Sequence, residues 1–398
     1  MANSRPTKLI TLGRNPGRED GIENTPVTRV SAVRFKDLSQ LRARQKNWDN
    51  FERDQLLYGS VSTPIQYDLE KVISELEGAE ATFIFPSGLG AIAGTLLSLC
   101  SPGDEILAVD CCYSAARHLL EKELPRLDLK THFFDPTLPK NLEILINDHS
   151  KILYLELPGS VTFELYELEP LIAIAKQANL KIIVDNSWAS SLHFQPLAFG
   201  VDVSLHSLSK VANGHSDILL GSISGMRDII HSIRRSSGFL GYRPSPDDCA
   251  LALRGIRTLE CRTAKYFSTS LNIANWLKQQ PSVVRVFHPA LPSAQGPNLW
   301  SRYFSGGSGL FSFVIKYASQ IAIDEFFNGF EVFSLGYSWG SFHSQILPVT
   351  APERLNIEFP PDKFMFVRLF CGLEQEQDLI MDLELAFFRA KNCDAKRL

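Results

Sequence analysis

Cysteine is scarce in this sequence and forms no recognisable pattern. The 398 residues hold seven, at Cys100, Cys111, Cys112, Cys249, Cys261, Cys371 and Cys393, with no CxxC spacing among them. An odd count without that spacing argues against a disulfide framework or a zinc site, and fits reduced thiols in a cytoplasmic protein with no metal centre. Long hydrophobic runs are missing too, which excludes a membrane-spanning helix. The first twenty residues place Arg5, Lys8, Arg14 and Arg18 around a short apolar break at 9–12, which makes no signal peptide. Glu19 and Asp20 come too early for a long transit peptide. Neither sign of charge dominates: 40 basic against 44 acidic residues leave a net charge of −4. With no basic patch interleaved with aromatics, a nucleic-acid partner is not expected. The doublet Arg234-Arg235 reads as a solvated helix face. There is no internal repeat and no low-complexity tract.

What is present is a composition for packing. A hydrophobic fraction of 44% with 21% charged residues belongs to a wholly globular chain. Its length predicts a large α/β domain, a smaller C-terminal α+β domain and an N-terminal arm, with boundaries at 1–60, 61–255 and 256–398. Leu69, Val72, Ile73 and Leu76 recur at helical spacing. Short apolar runs at 81–85, 105–109, 151–155, 182–184, 201–205 and 219–223 have strand length. Helical stretches such as 168–178 lie between them. That alternation predicts a mainly parallel sheet covered on both faces. An amphipathic helix over 259–277 opens the C-terminal region, which carries strands at 309–315 and 366–370.

Two strand ends carry the chemistry. One apolar strand ends at Asp185, and a second leads about twenty residues later into Ser207-Leu-Ser209-Lys210. In open α/β sheets ligands sit beyond the carboxyl ends of the strands, which brings both side chains into one crevice. A partly desolvated lysine there has a lowered pKa and a nucleophilic amine. Pyridoxal 5′-phosphate (PLP) chemistry needs such a lysine for a Schiff base, and an acid against the pyridine nitrogen. Ser207 and Ser209 are candidate phosphate donors. Ser87-Gly88-Leu89-Gly90, between a strand and an apolar helix, offers backbone N–H groups to a phosphate. Taken singly, Asp185 also reads as a helix cap and Lys210 as a surface group.

These and further motifs resemble the Cys/Met-metabolism PLP enzymes, and within them the bacterial-type cystathionine β-lyase branch. The resemblance runs from about Pro26 to the region of Phe387. It rests on Tyr58-Gly59, Pro86-Ser-Gly88, Leu155-Glu-Leu-Pro-Gly-Ser160, Val184-Asp-Asn-Ser-Trp188, Ser209-Lys210, Gly214-His-Ser-Asp217, Gly336-Tyr-Ser-Trp-Gly340 and Arg368-Leu-Phe-Cys-Gly-Leu-Glu374. Ser160 bears on the branch, because many γ-acting relatives carry Asn two residues after that proline. The resemblance implies PLP-dependent fold type I, with a seven-stranded sheet, and a homotetramer of catalytic dimers. It implies that Gly88 and Leu89 bind the phosphate with Ser207 and Ser209. Tyr113 would stack on the ring and shuttle a proton, and Asp185 would pair with the ring nitrogen. Tyr58 would enter from a neighbouring subunit. Arg368 would clamp the substrate α-carboxylate with Ser338 and Trp339. Alternatively Tyr113 and Trp339 are core aromatics and Arg368 pairs with Glu374.

The sequence departs from that pattern at three places. Ser60 stands where the family has an arginine that reaches the cofactor phosphate across the dimer, and Arg53 is the candidate replacement. Val211 stands where a tyrosine follows the lysine. Gly340-Ser-Phe-His343-Ser344 replaces Gly-x-Glu-Ser, which brings His343 to a substrate-facing segment. The implied activity is carbon–sulfur β-lysis of L-cystathionine or a related cysteine S-conjugate, a small amino-acid thioether. The alternatives are a γ-acting synthase or lyase, and a non-catalytic binding module that keeps the fold.

Overall fold

The computed structural model describes residues 4–13, 21–49, 56–292, 298–350, 355 and 358–395. Arg53 lies outside them. A seven-stranded sheet forms the first layer, from β1 (Ala81–Phe85), β2 (Glu105–Val109), β3 (Lys130–Phe134), β4 (Ser150–Glu156), β5 (Lys181–Asp185), β6 (Val203–Ser207) and β7 (Gly221–Gly225). Their order is β1-β7-β6-β5-β4-β2-β3. The β3/β2, β2/β4, β4/β5 and β5/β6 pairs are parallel, whereas β7 runs antiparallel to both β6 and β1. Consecutive residues of β2 and of the middle of β4 are buried, so both faces of the sheet are covered. The covering helices include Pro64–Glu77, Gly88–Leu99, Leu168–Gln177 and Arg227–Phe239.

Local hydrogen bonds moved two strands from where the apolar runs put them. The run at 201–205 yields β6 two residues later, because the Asp202 carboxylate accepts the Ile182 N–H at 2.9 Å and spends its residue on the turn. The run at 219–223 yields β7 at Gly221–Gly225, because the Ser209 hydroxyl takes both backbone groups of Leu220. Half-exposed β3, Lys-Thr-His-Phe-Phe at the sheet edge, has no apolar run to announce it. The arginine doublet also needs correction. Arg234 is buried, with its guanidinium on Glu70 of the helix Pro64–Glu77 and on the Thr82 carbonyl. Arg235 alone faces solvent.

A second sheet, ordered β10-β11-β12-β9-β8, follows the helix Leu259–Leu277. Its strands are β8 (Val283–Phe287), β9 (Leu310–Lys316), β10 (Ser334–Leu335), β11 (Gln345–Val349) and β12 (Phe364–Phe370), and only the short β10/β11 pair is parallel. Trp188 ties the two layers together, since its indole N–H donates to the Leu310 carbonyl at 2.9 Å. At the N-terminus the helix Arg5–Thr11 buries Leu9, whose carbonyl accepts from Arg257 at 2.6 Å. Among the described residues no helix is long and apolar enough to cross a membrane.

Candidate active site

Strands β1, β2, β4, β5 and β6 point the same way, so the segments leaving them meet at one edge of the sheet. From β2 the chain steps outward to β3 and returns on the other side of β2 as β4, which opens a crevice beside it. The cavity there encloses about 1000 Å³, its open mouth included. That is the upper end of the range for small-molecule sites. Gly88, Leu89, Tyr113, Asp185, Ser207, Ser209, Lys210, Trp339 and Arg368 all line it. Residues expected from six separate stretches of sequence therefore converge.

The helix Gly88–Leu99 aims its first turn at the cavity. Ser87 caps it by accepting the Gly90 N–H at 2.9 Å, which leaves the N–H groups of Gly88 and Leu89 at the open end. A Cβ on Gly88 would lie 2.8 Å from Ser207 Cβ and Oγ, so only glycine lets this helix end approach the end of β6. The Ser209 hydroxyl lines the cavity but is engaged with Leu220.

Asp185 ends β5 and is buried. Its Oδ1 accepts the Ser187 N–H at 2.9 Å and its Oδ2 accepts from the Tyr154 hydroxyl at 3.4 Å. Burial raises its pKa, and the Ser187 bonds oppose the rise. Lys210 extends from the turn after β6, and its Nζ donates to Ser338 Oγ at 2.7 Å. Burial, reinforced by Arg368, pushes the lysine down to about 8. Ser338 sits at φ +85°, a left-handed conformation rare outside glycine. Its carbonyl accepts from Arg368 Nη2 at 3.2 Å, so one residue joins the lysine to the arginine of β12. Glu374 is not the partner of Arg368; its carboxylate accepts from the N–H and hydroxyl of Ser344. Gly340, at φ +84°, packs on the lysine's backbone: a Cβ there would lie 2.9 Å from the Lys210 carbonyl carbon.

Other expected residues lie apart. Tyr58 is half exposed in the arm and, like Ser60, does not line the cavity of its own chain. The Tyr58-Gly59 turn is fastened to the extended segment at 30–31, with the Gly59 N–H on the Ser31 carbonyl at 2.9 Å. His343 does not line the cavity either. The Gly214-His-Ser-Asp217 loop is internally locked by Asn213 Nδ2 on Asp217 Oδ1 at 2.7 Å. Two residues beside Asp185 were given no role from sequence: Tyr154, buried against its carboxylate, and Glu156, which ends β4 and lines the cavity. The available signal was an acid closing each of two neighbouring strands.

The chain matches the family model described as Cys/Met metabolism PLP-dependent enzyme over residues 6–388. It belongs to that family. It is 33% identical over 390 residues to cystathionine beta-lyase MetC of Escherichia coli K12, spanning 96% of this chain and 98% of that protein. It is also 34% identical over 391 residues to an L-alanine/L-glutamate racemase of Wolbachia pipientis wMel, spanning 96% of each. Its fold matches a solved cystathionine gamma synthase of Xanthomonas oryzae pv. oryzae, in complex with aminoacrylate and cysteine, with a TM-score of 0.88 at 26% identity. That match spans 98% of this chain and all of the other. The architecture is thus PLP-dependent fold type I, and the cofactor is pyridoxal 5′-phosphate. The residues present suit it: a helix end cleared by Gly88 for an anion, a buried carboxylate, and a lysine whose pKa is lowered to about 8.

Proposed function

We propose that this chain is a carbon–sulfur β-lyase that converts L-cystathionine or a related cysteine S-conjugate into a thiol, pyruvate and ammonia. The observation that carries the reading is Ser338, whose hydroxyl meets Lys210 at 2.7 Å while its carbonyl meets Arg368 at 3.2 Å. A proton-transfer group and an anion clamp are thereby held on one cavity wall. In this reading the Gly88 and Leu89 N–H groups and the Ser207 hydroxyl hold the phosphate, joined by the Ser209 hydroxyl when it turns from Leu220, and Asp185 faces the ring nitrogen. When bound, PLP supplies an aldehyde for amines and a ring that accepts electrons released at the substrate Cα. Arg368, with Ser338 and Trp339, grips the α-carboxylate. Lys210 Nζ takes the α-proton. The Cβ–S bond then breaks with its electron pair on sulfur, the sulfur receives a proton from Lys210 Nζ or the Tyr113 hydroxyl, and water hydrolyses the released 2-aminoacrylate to pyruvate and ammonia.

Leu89, Tyr113 and Leu219 stand exposed on the cavity's lining, which supports coverage by a second copy. That copy would bring Tyr58, within a homotetramer of catalytic dimers working in the cytoplasm. Ser160, in place of the γ-type asparagine, favours β over γ chemistry. The synthase-like fold and the racemase relative supply the competing readings. Incubation with cystathionine, cystine and S-substituted cysteines, following pyruvate, tests the reading. Rapid pyruvate formation that Lys210→Ala abolishes is expected. Thioether formation from an O-acyl-homoserine, or D-alanine from L-alanine, without pyruvate from any thioether would overturn it.

A further inference from the structure

Glu156 and Asp185 are register partners at the ends of adjacent parallel strands. Their side chains therefore leave the same face of the sheet, from backbones about 5 Å apart. Both line the cavity. Two carboxyl groups so placed do not readily ionise together, and the one with more donors keeps the charge. Asp185 accepts from Ser187 N and from the Tyr154 hydroxyl. Glu156 accepts a single N–H, that of Tyr113, at 2.6 Å on Oε2. Tyr166 reaches only its backbone carbonyl, at 2.8 Å.

We propose that Glu156 is a neutral positioning residue: its carboxyl seats Tyr113 and leaves Asp185 as the charged member of the pair. The Tyr113 N–H fixes Oε2 as the acceptor, so the proton resides on Oε1. The groups facing Glu156 are Asp185 on β5, Tyr113, Cys111 and Cys112 after β2, Tyr154 on its own strand, and Tyr166, none of them positively charged. The cations of the same cavity, Lys210 and Arg368, bond Ser338 and not Glu156. Burial raises the carboxyl well above its usual range, and Asp185 adds to the rise. Glu156 keeps a part-exposed surface on the cavity, which a bound cofactor would cover and so deepen the desolvation. Tyr113 is half exposed, and among the described residues the bond to Glu156 is the side-chain tie on its backbone N–H. The role does not depend on whether β- or γ-elimination follows.

The test uses the holoenzyme and its Glu156→Gln and Glu156→Ala variants. Difference infrared spectroscopy at neutral pH is expected to show a protonated-carboxyl carbonyl band that Glu156→Gln removes. An acid whose folded pKa is raised loses stability as pH climbs above its unfolded value. The folding constant of Glu156→Gln relative to wild type should therefore rise by up to about tenfold per pH unit above pH 4.5. Gln still accepts the Tyr113 N–H, so it should restore most of the kcat/KM that Ala loses, with the pH profile unmoved. Absence of the carboxyl band in wild type, a pH-independent stability ratio, or a displaced pH profile in Glu156→Gln would each overturn the proposal. If Glu156→Ala fails to fold, the band and the stability ratio decide alone.

Discussion

Lys210 shares its cavity with Arg368, and that neighbour adds to the cost of protonating an amine already desolvated. At about 8, half of the amine is neutral at about pH 8 and roughly a fifth near physiological pH, where an ordinary lysine would be almost wholly charged. Capture of the PLP aldehyde needs the neutral amine. The rate at which apoprotein takes up PLP, followed by its visible absorbance, should climb with pH and level off just above pH 8. Arg368→Leu should move that midpoint upward, because it removes one of the two causes. A wild-type rate still climbing near pH 10 would mean that the amine is not perturbed. At this scale the sequence was readable wherever a residue type is chemically unusual at its place. A lysine and an acid at two strand ends suffice to mark a crevice. Glu156 escaped notice because its meaning lies in being level with Asp185, a register that only pairing reveals. Arg234 was misread because its partner Glu70 is 164 positions away in the chain.

That pair joins two elements, the helices Arg227–Phe239 and Pro64–Glu77, beside the β1 edge of the sheet. Arg234 also holds the Thr82 carbonyl of β1. Removing one partner strands a buried charge, whereas removing both does not. Arg234→Ala should therefore cost about 3–5 kcal/mol of stability. The double replacement Arg234→Met with Glu70→Met should recover a large part of it, as read from urea unfolding midpoints. A loss below about 1 kcal/mol in the single variant would place the pair with ordinary surface bridges. Element positions followed the apolar runs wherever the backbone was free to use them. They shifted where a side chain claimed backbone groups first, as Asp202 does ahead of β6 and Ser209 does ahead of β7. The half-exposed β3 and the short β10 lacked the apolar signal altogether.

Across the whole molecule, the expected site residues line the cavity or, like Ser338, bond to its Lys210, apart from Tyr58 and Ser60. Both sit on an arm whose first helix is anchored to its own chain through Leu9, while the Tyr58-Gly59 turn is held by the segment at 30–31. A short turn fixed in that way cannot swing into its own cavity without breaking the Gly59–Ser31 bond. The prediction is that Tyr58 acts on another copy. Symmetry makes the idea testable, because in a dimer with exchanged arms each site takes Lys210 from one chain and Tyr58 from the other. Lys210→Ala and Tyr58→Ala chains are each expected to be inactive or severely impaired alone. Unfolded together in equal amounts and refolded, they should form mixed dimers in which one site carries both lesions and the other carries neither. About a quarter of the wild-type activity should return. No recovery, with mixed dimers confirmed by mass spectrometry, would mean that Tyr58 serves the site of its own chain.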